Sequence, residues 1–308
     1  MSIDAQTIFS MAEKSTLGLH SLPEIFCKDM AGKVAIVTGG ATGLGYNIVN
    51  RLAESGVRVV IASRKESTGK KAEAEFNANN LEVKWFQTDV SKVSDCYAVV
   101  DYAVEQYGKV DIVITNAATW SMYSFLDMPE SAFDEVINID LKGEYFIAQA
   151  AARIMVKQKI KGKIVFISSV AHKGSDTPKM GMMTHYNAAK GAVVSMTKGI
   201  AKELRQYGIS VNCVAPGAML TAGAITNASE AVVLYGQEFV EERGKYGREV
   251  PMVMNPDEIA LVAFAMCTSM SDFIVGETID VDGGSMFSFQ AKPWSYTVEG
   301  CIPGPNKE

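Results

Sequence analysis

Hydrophobic and polar positions follow two alternating periods along most of this chain. Short runs rich in apolar residues occupy 33–38, 58–62, 82–89, 110–116, 163–169, 209–215 and 278–281. Runs of this length and composition predict strands, the most apolar of them buried on both faces. Between them, residues 43–55, 66–79, 93–107, 129–157, 185–207 and 257–268 repeat their apolar positions with helical period. Strands alternating with helices make crossover units, which assemble into a parallel sheet covered on both faces. The predicted class is therefore α/β, a single doubly wound sheet of six or seven strands. With no internal repeat, low-complexity run or linker, one domain is expected over residues 31–284. Residues 1–30 form an N-terminal extension in which Ile3, Ile8, Phe9 and Met11 suggest a short amphipathic helix. That segment either caps the domain or a neighbouring subunit, or hangs as a loosely held arm.

Composition narrows the class without changing it. The chain has 308 residues, 48% of them hydrophobic, and a net charge of −6. Those values fit a soluble globular protein with a sizeable core, and the absence of a basic stripe argues against nucleic acid as a partner. No basic region followed by an apolar run opens the chain, and no apolar stretch reaches transmembrane length, so neither a signal peptide nor a membrane span is expected. Cys27, Cys96, Cys213, Cys267 and Cys301 are odd in number and scattered, as in a reduced, cytoplasmic protein. With only His20, His172 and His185 present, no metal site is expected.

Candidate chemistry gathers where the predicted strands end. Thr38-Gly39-Gly40-Ala41-Thr42-Gly43-Leu44-Gly45 joins the first strand to the first helix. Glycines there permit positive φ and close backbone approach, and the helix start offers free N–H groups to a pyrophosphate. Gly39, Thr42, Gly43, Leu44 and Gly45 are thus candidate cofactor residues. At the end of the second strand a carboxylate commonly receives the ribose hydroxyls of NAD. Ser63 stands there instead, followed by Arg64. A missing acid beside a guanidinium suits the 2′-phosphate of NADP(H), although Arg64 lying on the adenine face would equally serve NAD(H). Asp89-Val90 follows the third strand, as an adenine contact or as a helix cap. Asn116-Ala117-Ala118 ends the fourth strand, with small residues that let a ribose pass. Tyr186 and Lys190 lie four apart on a predicted helix, hence on one face. An ammonium beside a phenol favours the phenolate, and a phenol so tuned can exchange a proton with a carbonyl oxygen or an alcohol. Taken alone, this spacing equally describes an ordinary half-buried helix face.

Taken in order, these pieces resemble the short-chain dehydrogenase/reductase family. The resemblance runs from about residue 33 to 284 and adds Ser168-Ser169, Pro216-Gly217 through Thr221, and Asp282-Gly283-Gly284. It implies a Rossmann-type fold, a nicotinamide cofactor and a homotetramer or homodimer. By the same resemblance Ser169 polarises the substrate carbonyl, Tyr186 is the acid–base, and Lys190 holds the nicotinamide ribose and lowers the Tyr186 pKa. Asn116 and Ala117 lie by the ribose, and Pro216, Gly217 and Thr221 meet the nicotinamide. Where the family often carries Asn in its fourth helix, this chain has Asp140, a carboxylate expected to pair with Lys190 or its water and to raise the lysine's pKa. Enoyl-carrier-protein reductases of the family place a Tyr seven before the Lys. Met183 occupies that position here, which disfavours the subgroup.

The substrate side reads as apolar. Sixteen residues separate Ser169 from Tyr186, a few more than is usual in the family, and Met180, Met182 and Met183 fall among them. Trp120, Met122, Tyr123 and Met219 flank the same edge. Residues 218–254 are the family's substrate lid, with Leu234, Tyr235, Phe239 and Val240 on an apolar face. The tail at 285–308 carries Phe287, Phe289, Trp294 and Tyr296 and is expected to cross between subunits. Flexible methionines and aromatics suit a bulky apolar ketone, although such clusters also form ordinary core. The expected reaction interconverts a ketone and a secondary alcohol, by resemblance on a hydroxysteroid, with the 20β type as the first guess. The alternative is a 2,4-dienoyl thioester reductase, which Asp140 resembles.

Overall fold

The computed structural model describes residues 28–174, 183–219, 221 and 255–284. The strands are β1 (Val34–Thr38), β2 (Arg58–Ser63), β3 (Val83–Gln87), β4 (Ile112–Thr115), β5 (Lys163–Ile167), β6 (Ser210–Pro216) and β7 (Thr278–Val281). The helices are α1 (Gly43–Glu54), α2 (Glu66–Ala78), α3 (Val93–Tyr107), α4 (Glu130–Ile137), α5 (Glu144–Gln158), α6 (Thr184–Leu204) and α7 (Pro256–Ala265). These seven strands run parallel in the order β3-β2-β1-β4-β5-β6-β7. The order reverses between β1 and β4, the point at which open α/β sheets bind ligands beyond their carboxyl ends.

Alternate side chains of the strands feed two cores. Val37, Ile61, Ile114 and Val214 face one layer with α1 and α7. Ile36, Val60, Val113 and Phe166 face the other with α3, α5 and α6. A buried ion pair ties α1 to α7: Arg51 donates through Nε to Asp257 Oδ1 at 2.8 Å and through a second nitrogen to Oδ2, with both side chains almost wholly inaccessible. Asn255 caps α7 by accepting from the Asp257 N–H, with Pro256 in the first turn.

Three predicted helices differ from what forms. The single helix expected over 129–157 is two helices, α4 and α5, joined by a π-helical turn at Asn138–Gly143. Gly143 in that turn lies so close to the loop after β3 that a Cβ would meet the Val90 carbonyl oxygen at 2.7 Å. Residues 205–207 tighten into a 3₁₀ turn after α6. α7 stops at Ala265, where the chain turns toward β7. Residues 1–27 of the expected arm at 1–30, most of the lid, and the tail at 285–308 lie outside the described residues, as do Met180 and Met182. Among the described residues no helix is long and apolar enough to cross a membrane.

Candidate active site

The carboxyl ends of β1, β4, β5 and β6 bring the candidate residues together around two features, a glycine cradle and a buried lysine. In the cradle, Gly39 and Gly43 adopt φ of +64° and +57°, a region where other residues are strained. Gly45 has no room for any side chain, since a Cβ there would lie 2.3 Å from the Gly39 carbonyl oxygen. Thr42 precedes α1 without its side chain capping the helix, and no acid occupies the first turn. Free N–H groups and a dipole uncontested by negative charge therefore face the cradle, which suits a pyrophosphate. Thr221 stands beside it, 3.6 Å from where a Gly43 Cβ would sit. These features fit a dinucleotide. Gly45→Ala is expected to push the turn apart and weaken cofactor binding about tenfold or more, as read by fluorescence titration, because such overpacking costs about 1–3 kcal/mol.

Thr38 and Asn116 brace this cradle. The Thr38 hydroxyl oxygen accepts from the Asn116 and Ala117 N–H groups at 2.8 and 2.9 Å. The Asn116 amide donates to the Thr38 and Gly39 carbonyls at 3.0 and 3.4 Å, so this side chain is engaged by the turn. The Leu44 and Val90 side chains point into the two cores, so what these candidates offer a cofactor is their backbone. Beyond β2, Ser63 Oγ accepts from the Trp85 indole N–H at 2.9 Å, while Arg64 is exposed. Arg64, Phe86, Gln87, Asp89 and Lys92 line an open depression of about 440 Å³. Asp89 accepts from the Ser91 N–H and hydroxyl at 3.2 and 2.7 Å. Burial raises its pKa, but those bonds and the nearby Lys92 and Arg64 outweigh it and bring the carboxyl below its ordinary range.

At the second feature, β5 and α6 meet. Ser168 is structural: its hydroxyl donates to the Lys190 carbonyl at 2.9 Å. Ser169 is half-buried, and its side chain is a hydrogen-bond partner of Tyr186. The Lys190 ammonium lies 5.8 Å from the centre of the Tyr186 ring. It donates to Glu144 Oε1 at 2.8 Å and to the Ile167 carbonyl at 3.0 Å, and Asp140 Oδ2 stands 3.4 Å away. Asp140 also accepts from the Thr119 N–H at 2.8 Å and so pins the loop after β4. Burial lowers the lysine's pKa, yet Glu144 and Asp140 together carry it above its ordinary value.

The phenol departs from expectation. Burial pushes the Tyr186 pKa up, Lys190 and Ser169 pull it back, and Asp140 and Glu144 raise it again, leaving it above its ordinary value. The lysine is thus one contribution among several and is outweighed in the protein by itself. Glu144 escapes the sequence reading, although a signal exists. It follows Asp140 by four, in phase with the apolar Ile147, Ala148 and Ala151, where a carboxylate has no reason to be unless paired. His185 escapes it too as a contact residue. It is buried beside Tyr186, and its Nε2 lies 3.1 Å from Ser121 Oγ, linking α6 to the loop after β4. Pro216 ends β6 beside β7, and the N–H of Gly217 just after it donates to the Val281 carbonyl.

A doubly wound sheet with a glycine cradle at its reversal point, and a Ser-Tyr-Lys set at the same edge, defines a nicotinamide-dependent oxidoreductase. The chain belongs to the short-chain dehydrogenase family, whose model matches residues 33–231. It is 34% identical to dehydrogenase/reductase SDR family member 4 of Bos taurus, over 82% of this chain and 87% of that one. It is 32% identical to a diacetyl reductase ((S)-acetoin forming) of Staphylococcus epidermidis, over 83% and 99%. Among solved structures it resembles a single-residue variant of actinorhodin polyketide ketoreductase with NADPH, at 26% identity and TM-score 0.75, over 82% of this chain and 96% of that one. The protein is an NAD(P)-dependent oxidoreductase of alcohols and ketones.

Proposed function

We propose that this enzyme interconverts a bulky apolar ketone and its secondary alcohol, with hydroxysteroids as the substrate class to test first. The observation that carries the reading is the Ser169–Tyr186 hydrogen bond over the buried Lys190. When bound, the nicotinamide supplies or accepts the hydride. Ser169 donates a hydrogen bond to the substrate oxygen, and Tyr186 gives that oxygen its proton or takes it away. Lys190 holds the ribose and its charge favours the phenolate, while Gly39, Thr42, Gly43 and Gly45 cradle the pyrophosphate. Pro216, Gly217 and Thr221 border the nicotinamide, and the backbone of Asp89 and Val90 borders the adenine. Trp120, Tyr123 and Met183 are partly exposed, and their character supports an apolar substrate, whereas Met122 is buried and Met219 packs on the core.

NADP(H) is the proposed cofactor. Ser63 brings no carboxylate to repel a 2′-phosphate, and the exposed Arg64 supports the reading; the neighbouring depression also holds Lys92, but Asp89 and Asp95 line it too and balance the charge. Exposed Phe133 and Tyr145 on α4 and α5 support self-association. Cys96, Cys213 and Cys267, free and buried among the described residues, agree with a reducing, cytoplasmic setting. Asp140 beside Lys190 keeps a second reading open, reduction of a 2,4-dienoyl thioester.

One experiment separates these readings. Purified protein is assayed with NADH and NADPH in parallel on steroid ketones, short diketones and a dienoyl thioester. Turnover of steroid ketones with NADPH is expected to exceed the others. Good turnover of diketones with none of steroids would sink the bulky-substrate reading, and activity confined to the thioester would select the second.

A further inference from the structure

Glu144 is nearly inaccessible, and both of its carboxylate oxygens are engaged. Oε1 accepts from the Lys190 ammonium at 2.8 Å, and Oε2 accepts from the Thr115 hydroxyl at 2.9 Å. Thr115 is itself wholly buried at the end of β4, so this carboxylate is held from the sheet as well as from the helix. Asp140, one turn earlier and also wholly buried, stands on the same ammonium. A buried cation thus meets two acidic groups, one more than its charge requires. An ion taken so far from water persists only when paired, and two carboxylates this close oppose each other's ionisation. Lys190 gives two of its three N–H groups to Glu144 and the Ile167 carbonyl, while Asp140 Oδ2 stands 3.4 Å off as a charge partner rather than a hydrogen-bond acceptor.

We propose that Glu144 is a positioning residue which, with Asp140, fixes the Lys190 ammonium and screens its charge from Tyr186, so that the site serves as a proton donor to carbonyls over a wide pH range. The inference rests on the reading of Tyr186 as the acid–base group. The groups facing this cluster come from every element packed on it. Tyr186 and Lys190 come from α6, and Asp140 and Glu144 from the π turn and α5. Thr115 comes from β4, the Thr119 N–H from the loop after it, Ser169 from the end of β5, and Cys213 from β6. Cys213 is a neutral thiol, its pKa pushed up to about 12 by burial and then by Glu144. The Glu135 charge also reaches Asp140.

The sign follows from charge. Burial and the neighbouring Asp140 push the Glu144 carboxyl up against the pull of Lys190 and Thr115, but it carries its negative charge throughout the alkaline range in which a phenol ionises. There it opposes loss of the Tyr186 proton. Removing that charge therefore lets the phenol ionise at lower pH. Glu144→Gln keeps an acceptor for Lys190 and a partner for Thr115 while deleting the charge.

The test titrates the Tyr186 phenol directly, by ultraviolet difference absorbance against a Tyr186→Phe reference, and measures the pH profile of alcohol oxidation alongside. In Glu144→Gln both the titration and the alkaline rise of oxidation are expected to move down by about one pH unit or more, the effect of a unit charge several ångströms away at an effective dielectric near 20. Glu144→Asp, which keeps the charge, is expected to move them less. An unmoved titration in folded Glu144→Gln overturns the proposal. Should that variant not fold, Asp140→Asn deletes the other carboxylate charge on the same ammonium. It must shift the titration the same way, and no shift there overturns the proposal as well. Retained turnover in Tyr186→Phe would instead sink the assigned acid–base role, an outcome the substrate-free titration does not share.

Discussion

Tyr186→Phe is expected to lower carbonyl turnover by about 10²- to 10⁴-fold, the usual weight of a positioned acid–base group. The substitution deletes one oxygen. The ring remains beside the Lys190 ammonium, and the lysine keeps its bonds to Glu144 and the Ile167 carbonyl, so neither the fold nor the ribose side of the site has reason to change. The expected signature is a collapse of kcat with thermal stability and cofactor affinity held, the latter read by fluorescence titration. A variant that kept its turnover would move the chemistry to another group. One that lost cofactor binding would make Tyr186 a structural member of the cradle.

The second large effect concerns stability. Asp257→Ala leaves the Arg51 guanidinium buried with no counter-charge of equal quality. Glu54 stands 3.5 Å from another nitrogen of the same side chain, but it is partly exposed. Breaking a buried pair in this way costs about 3–5 kcal/mol. Urea unfolding is expected to report that loss. The double replacement Arg51→Met with Asp257→Leu is expected to recover most of it, since apolar residues of similar volume relieve both desolvation penalties. Because α1 begins at the glycine cradle and is fastened to α7 by this pair, the single variant is also expected to bind cofactor more weakly at temperatures where it stays folded. Equal stability of wild type and Asp257→Ala would mean that water reaches Arg51.

Much of this architecture can be read from local pattern. The strands announce themselves as apolar runs, and Tyr186 and Lys190 fall on one face because helix geometry fixes what four residues mean. The glycine cradle is legible because only a strand–turn–helix junction gives Gly39, Gly43 and Gly45 a common purpose. What the sequence conceals depends on distant partners. Glu144 acquires meaning from Lys190, 46 positions away, and Arg51 from Asp257, 206 positions away. Ser63 reads as an open hydroxyl until Trp85 is seen to occupy it. Leu44 and Val90 sit inside recognisable motifs, yet the strand-to-helix geometry turns their side chains inward, which motif spacing does not encode. The phenol's ionisation is hidden for a related reason: spacing reveals the lysine but not the two carboxylates that share it.

The π-helical turn at Asn138–Gly143 has a bearing on how such a chain can vary in length. Each residue of an α-helix advances the chain about 100° around its axis. The π turn winds more loosely and takes up one residue more than an α-helix needs over the same arc. A single in-frame deletion within it is therefore expected to leave α4 and α5 in their present relation, with Ala132 and Val136 still buried. What it would change is the aim of the side chains inside the turn, and with it the stand of Asp140 beside Lys190. The extra residue re-aims a carboxylate without disturbing the helices on either side.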